Sequence, residues 1–236
     1  MNLSITRNEL YDYVSHQLSF FYPDGLAVQS TGFRSAFELA LERTEFCLSK
    51  IRGGGGIDNQ GNGFRAYKDA NNEVCFNHLH GDMYATFLWF LCNSLWTITQ
   101  NKPLCDKLVL LNKALHGIMA TYKCGLPDIF LFSHPQGSVL GTAEYSNYLV
   151  VLQNVTVSAA LPANGEMIPV RLGEYVWLGA NSSIIASQLG RGSSLDIGVT
   201  VRKMLVPPNS VVEIKEGRTS IRTKKGISSS EKVFLP

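Results

Sequence analysis

In the C-terminal half of the chain one residue stands out for its chemistry: His134, in Ser133-His134-Pro135-Gln136-Gly137-Ser138-Val139-Leu140-Gly141. An imidazole titrates near neutrality and can take a proton, give one back or bind a metal. On residue type alone it can equally be structural. A catalytic metal would need three or four His, Cys or carboxylate ligands. From 126 to 236 His134 is the only His and Cys is absent, so no catalytic metal is expected. Ser133 and Ser138 are possible nucleophiles by type, but neither lies in a Gly-x-Ser-x-Gly elbow. In the N-terminal half, His78 and His80-Gly81-Asp82 stand at the start of a long apolar stretch.

The elements that must hold His134 announce themselves by period. From Leu140 onward, aliphatic or aromatic residues recur about every sixth position: Tyr145, Val151 and Val157, then Leu172, Leu178 and Ile184, then Leu189, Leu195 and Val201. Six residues suit neither a helix nor a hairpin sheet. They do suit a coil of three short parallel strands, each with an aliphatic side chain pointing inward. Gly141, Gly173, Gly179 and Gly190 follow their anchors, as tight corners require. The register slips by one residue between Leu140 and Tyr145 and again between Ile184 and Leu189. An antiparallel sandwich is the alternative, but two-residue hairpin signals are almost absent from this region.

These features resemble the hexapeptide-repeat acyltransferases, and among them the serine acetyltransferases. The family's active-site segment is matched by His134-Pro135-Gln136-Gly137-Ser138-Val139-Leu140-Gly141. Its Leu-Gln-x-Val-Thr strand is matched by Leu152-Gln153-Asn154-Val155-Thr156, followed by a loop around Leu161 to Met167 and repeats running to Val206-Pro207-Pro208. The likeness covers roughly residues 126 to 210. It implies an α+β chain: an α-helical N-terminal domain (1–125), a left-handed parallel β-helix (126–212) and a C-terminal tail (213–236).

The resemblance also implies the chemistry. His134 would be the general base of a direct acetyl transfer from acetyl-CoA, with Gln153 in the same motif. Asp82 would touch the acceptor, and Asp128 or Glu144 could orient the imidazole, though both are also ordinary polar residues. Gly179, Ala180 and Ser187 fall where the pantetheine arm of CoA would pass, or are simply corner residues of the fold. Arg191, Arg202 and Lys203 could meet CoA phosphates or form a solvated basic face. Subunits would be expected to form trimers or dimers of trimers. The family's Arg-His-Pro segment, which helps to bind the amino acid, reads Met167-Ile168-Pro169 here, so a sugar hydroxyl in surface-polysaccharide synthesis is the expected acceptor. Free serine is the alternative, and an inactive solenoid scaffold a further one. The chain ends Phe234-Leu235-Pro236 without a terminal Ile, so docking into cysteine synthase is not expected.

The rest of the chain sets bounds. A net charge of +2 across 236 residues argues against nucleic acid or an acidic membrane as partner. Five irregularly spaced Cys fit a reducing compartment, and Met1 to Ser19 does not read as a signal peptide. A cytoplasmic protein is expected. Thr6 and Glu9 form a capping box opening a helix that Pro23 stops. Further helices are expected over 33–51, 78–99 and 104–120. The third is apolar, but too short and too polar at its start to span a membrane. Gly53 to Gly56, with Gly61 and Gly63, marks a long connection that lacks the strand and the Gly-Lys-Ser/Thr ending of a phosphate loop.

Overall fold

A computed structural model describes residues 1–24, 32–52, 67–160 and 167–235. The glycine-rich segment from Gly53 and most of the loop from Leu161 lie outside the described residues. The chain divides into two compact units, Met1–Tyr122 and Lys123–Pro236.

The first unit is helical. Helix α1 (Arg7–Phe21) opens on the Thr6/Glu9 capping box, and Leu10, Val14 and Leu18, one turn apart, form its buried stripe. Helix α2 (Phe33–Ser49) buries Phe33, Phe37, Leu41 and Leu48. Helix α3 (Gly81–Thr99) is buried on nearly every side and packs against both α2 and α4 (Lys102–His116). A helix that is apolar all round belongs at the centre of a helical unit. Its polar interruption is satisfied, because the Arg43 guanidinium donates to Asn93 Oδ1 at 2.7 Å and to Ser94 Oγ at 3.3 Å. No helix among the described residues is long and apolar enough to cross a membrane.

Helix α3 starts at Gly81 and not at His78. The preceding backbone turns on itself instead, with Leu79 N–H donating to Asn77 Oδ1 at 2.9 Å and His78 N–H to Ser4 Oγ at 3.1 Å. Helix α4 ends at His116 because Gly117 takes the left-handed conformation that closes helices (φ 67°). Met119–Ala120, expected to be helical, is extended.

The second unit is a solenoid of parallel strands on three faces. The first face stacks Phe130–Phe132, Leu149–Val151, Trp177–Leu178, Ser194–Leu195 and Ser210–Lys215. The second stacks Val139–Leu140, Thr156–Ser158, Ser183–Ile185 and Thr200–Arg202. The third stacks Glu144–Tyr145, Arg171–Leu172, Gln188–Leu189 and Leu205–Val206. Leu178 pairs with Leu195, Leu195 with Val212, and Ile184 with Val201, so the later coils are 17 residues long.

That length explains the slips in period. Two corners take six residues from anchor to anchor and the third takes five, so the shortfall falls at the passage from the second face to the third, except in the second coil, where the loop between Val157 and Leu172 is inserted. The anchors fill the interior: Leu140, Val151, Val157, Leu172, Leu178, Ile184, Leu189, Leu195 and Val201 are at most 2% exposed.

After the last coil the chain reverses through Glu216-Gly217, both at positive φ, and Arg218–Thr223 pairs antiparallel with Ser210–Lys215. The final segment then returns along the solenoid. Ser230 Oγ donates to the Tyr148 carbonyl, the Phe234 ring meets Tyr148 edge-on at 5.6 Å, and Val233 and Phe234 are buried. The tail is therefore part of the packing.

Candidate active site

His134 owes its position to a departure from the repeat. Phe132 pairs with Val151 and Leu140 with Val157, so the first coil uses two more residues than the second to turn from the first face to the second. The hydrogen bonds identify them. Ser133 N–H donates to Val151 O at 2.9 Å, and Asn154 N–H donates to Gln136 O at 2.8 Å, which leaves His134 and Pro135 without counterparts below. At this corner His134 is exposed, while Pro135 is buried and anchors it.

The projection is held by its own turns. His134 lies in the left-handed region at φ 52°, a conformation that His tolerates better than most residues. Gln136 N–H donates back to His134 O at 2.9 Å, a three-residue turn centred on Pro135, whose ring restricts φ to the value such a turn needs. Ser138 N–H then donates to Pro135 O at 3.1 Å around Gly137, where φ is 75°. This β-turn needs positive φ at its third residue, hence Gly137. Ser138 is fully buried. Its Oγ donates to Leu152 O and accepts from Val155 N–H, both at 3.0 Å, so the hydroxyl is engaged in joining two coils.

Below His134 runs a column of corner residues. Asn154 N–H donates to Gln136 O, Asn181 N–H to Gln153 O at 2.9 Å, and Gly198 N–H to Ala180 O at 2.9 Å. Gln136, Gln153 and Ala180 thus stack one coil apart, at about 4.8 Å per coil. Gly179 adjoins Ala180, and a Cβ there would stand 2.6 Å from Leu195 O, too close for any side chain. Four of the expected residues, His134, Gln153, Gly179 and Ala180, therefore share one edge of the solenoid.

The others lie elsewhere. Ser187, Arg202 and Lys203 are at the next corner, between the second and third faces. Ser187 is buried, its Oγ donating to Ile185 O at 2.9 Å and accepting from Met204 N–H at 3.0 Å, while Arg202 and Lys203 are exposed. Asp128 precedes the strand Phe130–Phe132 and His134 follows it, so the two occupy successive corners of one coil. Glu144 is on the third face, where it pairs with Arg171 at 2.8 Å. Arg191 lies over the Tyr175 ring at 4.9 Å and pairs with Glu174 and Glu231 at 3.4 and 3.7 Å. Asp82 belongs to the helical unit, in the first turn of α3. Burial, then Asp82, then Cys47 push the Tyr67 phenol well above its ordinary range.

Two residues were missed by sequence reasoning. Asn154 and Asn181 both sit at positive φ in this column, and Asn154 Nδ2 donates to Asn181 Oδ1 at 3.0 Å. The signal was present: Gly137, Asn154, Asn181 and Gly198 are the residue types that accept left-handed backbone, placed at the same point of successive coils. Among the described residues, no group of three or more His, Cys, Asp or Glu is gathered to hold a metal.

No family model and no curated relative matches this chain. Solved structures do. A serine acetyltransferase of Neisseria gonorrhoeae is similar over 94% of this chain and 82% of its own, at 18% identity and a TM-score of 0.60. Serine acetyltransferase 1 of Entamoeba histolytica, solved with L-cysteine, matches 88% of this chain and 75% of its own (16% identity, TM-score 0.59). The Vibrio cholerae serine acetyltransferase matches 84% and 69% (16% identity, TM-score 0.57). The solenoid is a left-handed parallel β-helix. With the helical unit before it, the chain has the fold of these structures over nearly its whole length.

Proposed function

We propose that this chain is an acetyl-CoA-dependent O-acetyltransferase in which His134 is the general base. The observation that carries the reading is the exposed His134, presented by the two extra residues of its corner over the Gln153 and Ala180 column, in a fold shared with acetyltransferases. The neutral imidazole takes the proton of an acceptor hydroxyl as its oxygen bonds to the thioester carbonyl carbon. The tetrahedral oxyanion collapses, the carbon–sulfur bond breaks, and the imidazolium returns its proton to the leaving thiolate. The N–H groups of Gly137, Gln153 and Ala180 lie on this edge without a backbone hydrogen bond, and the oxyanion is assigned to them. Ser133 and Ser138 need no covalent role.

In this reading the pantetheine arm passes Gly179 and Ala180, and the phosphates lie toward Arg202 and Lys203, with the second face between them. Gln153 is assigned to the acceptor side, and Ser187 to the CoA side through its corner. Trimers bring a neighbouring solenoid against the CoA groove.

The acceptor we propose is a sugar hydroxyl. At the base of the loop, where an amino-acid carboxylate would need a cation, Met167 is an exposed apolar side chain and Ile168 is pinned by mutual backbone hydrogen bonds to Ala160 at 2.9 and 3.2 Å. Serine is the second reading. The Neisseria gonorrhoeae structure, also solved in complex with serine, favours it.

Thiol release from acetyl-CoA, measured with L-serine, hexoses, nucleotide sugars and oligosaccharides for wild type and His134→Ala, tests both. Turnover with sugars that vanishes in His134→Ala is expected. Turnover with serine alone would replace the acceptor, and an active His134→Ala would remove the base. Failure of acetyl-CoA to bind or react would favour the scaffold.

A further inference from the structure

The corner that presents His134 is wedged from below by one side chain. A Cβ on Gly137 would fall 2.0 Å from Asn154 Oδ1, so the amide of Asn154 occupies the space directly under the turn. The same side chain donates from Nδ2 to Asn181 Oδ1 at 3.0 Å, and the Asn154 backbone N–H holds Gln136 O. Three contacts from one residue thus fix the turn Pro135–Ser138, and His134 is bonded into that turn through Gln136 N–H.

We propose that Asn154 is a positioning residue for His134: its amide, wedged under Gly137 and tied to Asn181, holds the imidazole where an acceptor oxygen can reach it. The inference rests on the acyl-transfer reading for its consequence, while its geometry stands independently. Asn154 itself touches no reacting atom in this scheme.

The molecule contains its own control. At another corner, Asn209 is 17 residues after Gly192 as Asn154 is after Gly137, with Asn209 at φ 54° and Gly192 at φ 71°. Asn209 Oδ1 lies 2.4 Å from where a Gly192 Cβ would be, and Asn209 N–H donates to Arg191 O at 2.8 Å. The device is therefore a general way to stack left-handed corners. It differs between the two places in what the corner carries: a histidine projection in one, none in the other. Loss of either Asn should weaken the solenoid, and only loss of Asn154 should disturb His134.

The test uses Asn154→Gly, Asn154→Asp and Asn209→Gly in the full chain. Glycine accepts the left-handed backbone, so each Gly variant removes the side chain alone. Asp keeps an oxygen under Gly137, and Asn181 can turn its amide to donate to it. Thiol release is measured together with the imidazole NMR signal of His134, assigned by its absence in His134→Ala. For Asn154→Gly we expect kcat to fall on the order of tenfold, the scale of a misplaced reacting group. KM for acetyl-CoA should stay within about twofold, because the CoA residues lie lower in the solenoid. The His134 signal should broaden or split. Asn154→Asp should restore both readouts, and Asn209→Gly should lower the melting temperature without moving either. Equal effects of the two Gly variants on kcat and on the His134 signal would overturn the proposal. If wild type transfers no acetyl group, the acyl-transfer reading fails by itself. The NMR comparison then decides the positioning role, and an unchanged His134 signal in Asn154→Gly refutes it.

Discussion

Two serines at the same point of the repeat, Ser138 and Ser182, make opposite predictions. Both occupy the position just before the second-face strand, in the first and third coils, and both are fully buried. Ser138 Oγ donates to Leu152 O and accepts Val155 N–H. Ser182 Oγ has no partner. In Ser138→Ala the Val155 N–H and the Leu152 carbonyl both lose their partner in the interior. An orphaned buried group costs about 1–3 kcal/mol, so the pair should cost about 2–6 kcal/mol. Ser182→Ala removes a hydroxyl that was desolvated without return, so it should be neutral or stabilising by up to about 1 kcal/mol. Urea unfolding of the full chain reads the difference. At a slope of about 2 kcal/mol per molar, the two midpoints should separate by roughly 1–3 M. Thiol release by Ser138→Ala should persist within about tenfold of wild type, the effect of a loosened corner. Equal midpoints for the two variants would refute the hydrogen-bond argument. Complete loss of turnover in a folded Ser138→Ala would reinstate it as a nucleophile.

His116, at the end of α4, is held neutral by burial, which lowers its pKa to about 4, and its ring meets Tyr84 edge-on at 5.6 Å. The unfolded chain takes up that proton first as pH falls, so the stability tied to this residue is full above about pH 6.5 and is lost toward pH 4. Discounted for its partial exposure, the loss should be about 2 kcal/mol. Unfolding curves at pH 7 and 4.5 should therefore differ less in His116→Gln than in wild type. Phe234→Ala should cost about 3–5 kcal/mol, as for other buried Phe truncations, and should release the C-terminal segment from Tyr148. Limited proteolysis should then cut near residue 227 well before the solenoid, and a cleavage rate equal to wild type would show that the segment is held by other contacts.

The solenoid was legible because its inward positions must be aliphatic and its corners tight, a constraint that repeats every coil and accumulates along the chain. The two slips looked like defects in a six-residue period. They are the signature of a 17-residue coil, and a search at that period would have aligned Leu178, Leu195 and Val212 directly. The helices of the first unit were legible in number and order from apolar spacing and the Thr6/Glu9 box. Their ends were less so. The turn before Gly81 depends on Ser4, which comes from a distant part of the sequence. The buried return of Val233 and Phe234 was hidden for the same reason, since the last residues carry too short a pattern to show what they pack on.

At the site, what the sequence could not reveal was which corner each residue reaches. Asp128 is only six residues from His134, and Glu144 only ten, which makes both look like partners for the imidazole. In a three-faced coil, six residues carry the chain from one corner to the next, so nearness in sequence there means separation in space. The residues that share His134's edge are instead one coil or more away in sequence, Gln153 and Ala180 among them. Asp128 and His134 thus stand at successive corners of one coil, and Glu144 is engaged with Arg171 on the third face. Gln136, Gln153, Asn154, Ala180, Asn181, Ile197 and Gly198 of this edge are not acidic, and its one carboxylate among the corner residues, Asp196, stacks next to Gly179 in the fourth coil, three coils from His134. The turn that carries His134 is closed by Gln136 N–H and filled from below by the Asn154 amide, and this gives the Asn154 wedge its weight in the chemistry proposed.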